Sequence, residues 1–264
     1  MSEQFIKILL VGFSAILGAV LGSFSCCQAW RIRYKETGKK DPGKRSVCLH
    51  CGKKLTWYEN IPILSWILQR GKCRKCGKKI GSAEIISEVL GAISFGILGW
   101  KLSEELFSGR GFEPLLFIEA GIVVIFTTIM LILAVYDAKW RELPTKLLVT
   151  TVVLGAIYAC IKILFRGQDI LSLMEAVGIL AGIYYILYIV SKEKLVGGGD
   201  WILGLSISLF VGEWWLAIWV LFLSNFSGAI VMLPQRKKKI AFGPFLVGAF
   251  IVVFAFSDFF LSLI

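Results

Sequence analysis

Residues 5–30 read FIKILLVGFSAILGAVLGSFSCCQAW, and residues 31–80 follow with fifteen Lys/Arg against three acids, Glu36, Asp41 and Glu59. A bilayer crossing takes roughly 20 mostly apolar residues, so the first stretch spans a membrane and the second stays out of it. A cleaved secretory signal fits poorly, because no convincing small-residue cleavage site precedes the basic block. The N-terminal region also sets Glu3 against a single Lys7. Gly12, Gly18 and Gly22 are expected to admit a second helix closely.

The same contrast divides the whole chain of 264 residues. It is 57% apolar, beyond the 45–50% or so of a soluble domain. Its net charge of +11 splits into +12 within residues 31–80 and −1 across all the rest. The excess charge is therefore one loop rather than a basic folded surface, which argues against nucleic acid as a partner. Further spans are expected near 85–102, 115–136, 147–165, 170–190, 201–211, 214–233 and 240–261. That makes about eight transmembrane helices in an all-α polytopic protein. Residues 201–211 are short for a crossing, so that helix either is short or begins within the preceding glycines. The Lys/Arg bias puts 31–80 on the cytoplasmic side. It does the same for 137–146, for 191–200 with Lys192 and Lys194, and for Arg236, Lys237, Lys238 and Lys239. Three divisions follow: a first transmembrane helix (1–30), a cytosolic basic cysteine loop (31–82) and a transmembrane bundle (83–264).

Four of the seven cysteines lie in the basic block, as Cys48-Leu-His-Cys51 and Cys73-Arg-Lys-Cys76. Two CxxC turns close four soft thiolates around one tetrahedral ion, which suits zinc. The intervening 21 residues slightly exceed the usual ribbon spacing of about 15–20. Each turn is followed by Gly-Lys-Lys, an internal echo of two zinc knuckles. Disulfides are the alternative, and a cytoplasmic loop disfavours them. Four cysteines leave no open coordination position, so the ion is structural. His50 reads as a solvated loop residue. Cys26, Cys27 and Cys160 fall in apolar spans and read as small hydrophobes.

Acids at membrane edges are functional hypotheses by default. Asp137 ends the third span, in Ala134-Val-Tyr-Asp137-Ala-Lys-Trp-Arg-Glu-Leu-Pro144. Asp200 follows Gly197, Gly198 and Gly199 and opens the short helix. Two carboxylates brought together share a proton, so one acts as base on a water while the other donates to a carbonyl. The alternative is that Asp137 caps a loop and the glycines form a hinge. Glu84 and Glu88 share a helix face, a pair that either forms a metal or proton site or, more often, marks a helix start at the interface. Glu119, Glu175, Glu213 and Asp258 are expected at outer, water-accessible ends. The lone histidine lies between two cysteines, which leaves no imidazole base for a serine or cysteine nucleophile. Gly197–Gly199 lacks the residues of a phosphate-binding loop.

Several segments together resemble the type 4 prepilin peptidases, bacterial membrane aspartic proteases. They are Leu21-Gly22-Ser23-Phe24 followed by Arg31 or Arg33, Arg45-Ser-Val-Cys48-Leu-His-Cys51, and Trp57-Tyr-Glu-Asn-Ile-Pro62 with Ser65-Trp66. The series continues with Arg70-Gly-Lys-Cys73-Arg-Lys-Cys76, Glu88 with Gly91, Asp137 with Leu143-Pro144, Gly197-Gly-Gly-Asp200 and Phe242-Gly-Pro-Phe-Leu246. The chain departs from the family at Ile202, Thr145 and Ile85, where Lys, Asp and Pro are common.

The resemblance implies a peptidase that removes the short basic leader of prepilins or pseudopilins at the cytoplasmic membrane, with Asp137 and Asp200 catalytic. Many members also N-methylate the new terminus with S-adenosylmethionine, for which the sequence names no binding residues. Lipid is a second partner, and the basic loop suits anionic headgroups. Glu59 is the expected contact for a basic leader. Two rivals remain open at this point. One is a general intramembrane aspartyl protease, and the other is a non-enzymatic transporter or scaffold.

Overall fold

The computed structural model describes residues 2–38, 45–107, 114–193, 196–235 and 240–264. Lys194 and the basic run 236–239 lie outside the described residues. Among the described residues the chain is helical, and it separates into two compact units, Met1–Glu113 and Pro114–Ile264.

In the first unit, α1 (Glu3–Glu36) packs along α3 (Ser82–Phe107), and a short helix α2 (Leu64–Leu68) lies in the segment between them. Glycine makes the α1–α3 packing close. A Cβ added at Gly18 would run into the Gly91 carbonyl, one at Gly22 into the Ser87 carbonyl, and one at Gly91 into the Gly18 carbonyl. These obstacles are backbone atoms, which cannot rotate away. Without side chains at those points the two helices meet along a small-residue seam, the way helices associate in lipid. Gly12 takes no part in the seam, since nothing lies within 4 Å of a Cβ placed there. At the other end of α1, Lys7 pairs with Glu104 of α3 at 3.1 Å. The first helix also runs on past residue 30, carrying Arg31, Tyr34 and Lys35. Helical hydrogen bonding does not stop where the apolar run stops.

In the second unit, α4 (Pro114–Trp140) is followed by α5 (Thr145–Arg166). Next comes a continuous span over Ile170–Ser191, made of α6 (Ile170–Val177), a π turn (Gly178–Gly182) and α7 (Ile183–Ser191). Then follow α8 (Gly198–Val211), α9 (Trp214–Gln235), α10 (Gly243–Ala255) and α11 (Ser257–Leu261). The core is aromatic, with Phe210 of α8 stacked on Phe126 of α4 at 3.8 Å and on Tyr158 of α5 at 4.2 Å. Phe250 of α10 meets the Phe126 and Phe210 rings edge-on.

Among the described residues, six helices are long and apolar enough to cross a membrane, and α8 and α10 are shorter apolar helices. The protein is a multi-pass membrane protein. Of the eight expected spans, the short one begins at Gly198, within the glycine run. The last is broken at Phe256 into α10 and α11. At 14 and 13 residues, α8 and α10 are only about 20 Å long, against a hydrocarbon core of roughly 30 Å. Glu119, expected at a wet edge, is instead buried, and it accepts two hydrogen bonds from Arg166 of α5, each 3.0 Å. A bidentate partner makes that burial affordable. Glu175 and Asp258 are exposed as expected.

Gly22→Val forces the α1 and α3 backbones apart. We expect a loss of about 1–3 kcal/mol in stability, read as a lowered midpoint of thermal unfolding in detergent. Gly12→Val should leave that midpoint nearly unmoved.

Candidate active site and metal cluster

Helix α4 ends one turn after Asp137. The Arg141 backbone N–H donates to the Asp137 carbonyl at 2.7 Å, and Arg141 takes a left-handed φ of 56°. Pro144 then stands at the N-cap of α5, where its missing N–H costs nothing. The connecting Leu143 lies against Gly199, so that a Cβ at Gly199 would fall 2.8 Å from Leu143 Cδ1. Gly198 lies against the Tyr188 ring, 3.4 Å from a would-be Cβ. The glycine run therefore makes room for side chains of this chain itself, and none of its three glycines has a positive φ.

Asp200 is the third residue of α8, and its Oδ2 accepts from the Gly197 backbone N–H at 2.9 Å. Asp137 reaches across to α10, where its Oδ2 accepts from the Gly243 N–H at 2.7 Å. Gly243 is again a matter of space, since a Cβ there would lie 2.9 Å from that same oxygen. Both aspartates are buried. They lie close enough for the charge of Asp200 to act on Asp137, and Arg141 also acts on Asp137. Each carboxylate thus serves the N-terminus of a short helix, where unsatisfied N–H groups and the helix dipole attract an anion. Three segments distant in sequence converge here: Asp137 with Leu143-Pro144, Gly197–Asp200 and the segment opening at Phe242.

One part of this neighbourhood was not read from the sequence. Tyr184 is buried within electrostatic range of Asp200. Its hydroxyl shares a hydrogen bond with Ser224 at 3.1 Å and accepts one from Asn225 Nδ2 at 3.1 Å. Phe242 packs edge-on against its ring. The available signal was three polar side chains inside apolar spans.

The cysteine module repeats itself in space as it does in sequence. The Cys48 N–H donates to Lys53 O and the Cys73 N–H to Lys78 O, both at 2.9 Å. Gly52 and Gly77 both take φ +68°, the left-handed turn that closes each knuckle. The four Sγ atoms of Cys48, Cys51, Cys73 and Cys76 lie within 4.8 Å of one another, with Cys48 and Cys76 at 3.9 Å. Sulfurs about 2.3 Å from a tetrahedral zinc would stand about 3.8 Å apart, so the donor set fits a metal ion. The seven cysteines form no disulfide. His50 is exposed beside the cluster.

Glu59, expected to meet a substrate, is committed inside this module. Its Oε1 takes Lys53 Nζ at 2.7 Å, and its Oε2 takes both the backbone N–H and the hydroxyl of Thr56, forming a capping box. Glu88 is likewise occupied, accepting from the Ile63 N–H at 2.7 Å. It ties α3 to the start of α2.

Two buried aspartates, each accepting from the N–H at the start of a short helix, thus lie within a bundle of membrane-competent helices. Comparisons with known proteins name the family. A model described as the bacterial peptidase A24 N-terminal domain matches residues 16–102, and the type IV leader peptidase family model matches residues 124–233. The chain belongs to the type IV leader peptidase family and is a peptidase. Proteins named prepilin leader peptidase/N-methyltransferase are similar to it. That of Vibrio cholerae serotype O1 is 28% identical over 93% of this chain and 96% of its own length. The Bacillus subtilis protein is 28% identical over 92% and 93%. The Dichelobacter nodosus protein is 27% identical over 76% and 67%. No solved structure matches the chain. Family membership sets aside the transporter or scaffold reading.

The Lys53 ammonium, followed by the Thr56 backbone N–H, holds the Glu59 carboxyl down to about 2 from an ordinary 4.5. A depressed folded value means stability that is fully present above the ordinary value and lost as pH falls toward the folded one. Glu59→Gln should therefore lower the unfolding midpoint of the protein at neutral pH. The gap to wild type should close as pH falls from about 4.5 toward 2. A gap that persists unchanged through that window contradicts this role.

Proposed function

We propose that the chain is an endopeptidase that removes the short basic leader from prepilin-like and pseudopilin proteins at the cytoplasmic face of the bacterial cytoplasmic membrane. It then N-methylates the new terminus with S-adenosylmethionine. The observation that carries the peptidase part is the pairing of Asp137 and Asp200. Both are buried and within electrostatic reach, and each is seated by a helix-start N–H at 2.7 and 2.9 Å. The names of the relatives support the substrate class and the methylation. The net +12 of residues 31–80 supports a cytoplasmic loop.

In this reading the two carboxylates share one proton, because two like charges so close do not both ionise freely. One takes a proton from a water whose oxygen attacks the scissile carbonyl. The other donates its proton to the carbonyl oxygen. Collapse of the tetrahedral intermediate breaks the C–N bond as a proton passes to the leaving amine. The Gly243 and Gly197 N–H groups fix the direction in which each carboxylate points, so no side-chain search precedes the chemistry.

Zinc fits the cysteine cluster as a structural ion that ties the two knuckles together. Bound S-adenosylmethionine would supply a methyl group carried on positively charged sulfur.

Asp137→Asn and Asp200→Asn should each lower leader cleavage of a prepilin by at least about 10²-fold, measured on purified enzyme by mass analysis of the product. Full cleavage by either variant contradicts the paired mechanism. Elemental analysis of the purified protein should find one zinc per chain, and Cys73→Ser should lose it. A metal-free wild type with four free thiols in the module would overturn the zinc assignment.

A further inference from the structure

Leader cleavage and methyl transfer are separate reactions, and the aspartate pair accounts for the first alone. The second needs a place to hold its methyl donor, and the first unit contains an unassigned cavity. One wall of it is a single face of α1, where Ser23, Cys26, Cys27, Trp30, Arg31 and Tyr34 recur at helical spacing. The cysteine module adds Arg45 and Trp66, and α3 adds Glu88. The cavity lies where the glycine seam at Gly18 and Gly22 gives way to large side chains. It exists because α1 continues as a helix to Glu36.

The chemistry of the lining is specific. Trp30 and Tyr34, one turn apart, present tilted rings with centroids 6.0 Å apart. The Trp66 ring is held by close approach of Gly71, where a Cβ would fall 2.8 Å from the indole. The Trp66 Nε1 is shielded from solvent and has no hydrogen-bond partner, a donor that ought to be satisfied in a finished site. Glu88 is 8% exposed and fixed by the Ile63 N–H and by Ser23. Arg31 and Arg45 line the same cavity and supply positive charge to it. A cavity lined by aromatic rings, the carboxylates of Glu59, Glu84 and Glu88, and guanidinium groups suits a ligand that carries a flat heterocycle, a cationic centre and a carboxylate together.

We propose that this cavity binds S-adenosylmethionine. The aromatic rings take the purine and the positive sulfur, Glu88 takes ribose hydroxyl or ammonium groups, and Arg31 and Arg45 take the carboxylate. The inference rests on the methyl-transfer reading above, and it assigns that activity to residues of the first unit.

The test uses purified full-length protein and S-adenosylmethionine labelled in its methyl group. Equilibrium dialysis measures binding without turnover. Ultraviolet crosslinking followed by peptide mapping locates the label. We expect saturable binding, with label on peptides covering residues 23–34, 45–66 or 84–88. Glu88→Gln and Arg31→Gln should each weaken binding by about tenfold or more, and Asp137→Asn should bind as wild type does. Folding of each variant is checked by its zinc content and unfolding midpoint. Label confined to residues 114–264, or wild-type binding by both folded cavity variants, overturns the cavity assignment and leaves the methyl-transfer reading standing. Absence of any binding by an enzyme that still cleaves its leader overturns both.

Discussion

A helix that starts inside an apolar bundle leaves backbone N–H groups without partners, and something must satisfy them. In the second unit two short helices, α8 and α10, start in this way. At each start a carboxylate accepts the hydrogen bond, Asp200 at Gly197 and Asp137 at Gly243. The remaining features of the site follow from that requirement. Gly243 has no side chain because Asp137 must come close. Leu143 packs on Gly199 because the loop leaving α4 must pass beside the start of α8. The stacked Phe126, Phe210 and Tyr158 rings join α4, α5 and α8. The groups that seat the carboxylates are thus part of the fold itself, and the same geometry that completes two helices brings two acids together.

The first unit is built on a different constraint. Gly18, Gly22 and Gly91 let two helices approach to backbone contact, and a compact cysteine module fills the segment between them. Within that module the Glu59 charge is neutralised by Lys53 at 2.7 Å. The strongly basic loop therefore keeps one buried carboxylate for its own architecture. The aromatic and charged face that α1 extends beyond its apolar run is the feature of this unit that architecture alone does not explain.

Much of this was legible in the sequence because it is local. Apolar run length gave the spans, and the CxxC echo gave the two knuckles. The glycine run before Asp200 marked the start of a short helix. Gly18 and Gly22 were read correctly as contact residues, whereas Gly12 points away from the seam, a distinction of helix phase that needs the partner's position. The rest depends on contacts distant in sequence. The Glu119–Arg166 pair joins residues 47 apart, and Asp137 meets Gly243 across 106 residues. Neither separation has a sequence period. Glu59 was misread because an acid in a basic loop looks like a substrate contact until Lys53 and Thr56 are seen around it. The break at Phe256 was missed because no Gly or Pro marks it.

The central claim is that residues 137 and 200 face each other across one site. Cross-linking an Asp137→Cys, Asp200→Cys double variant with a short thiol-to-thiol reagent tests it directly, read by mass mapping of the linked peptides. The account predicts one intramolecular link joining the two positions in most of the protein. Separate single adducts at the two positions, with no linked peptide, would contradict it.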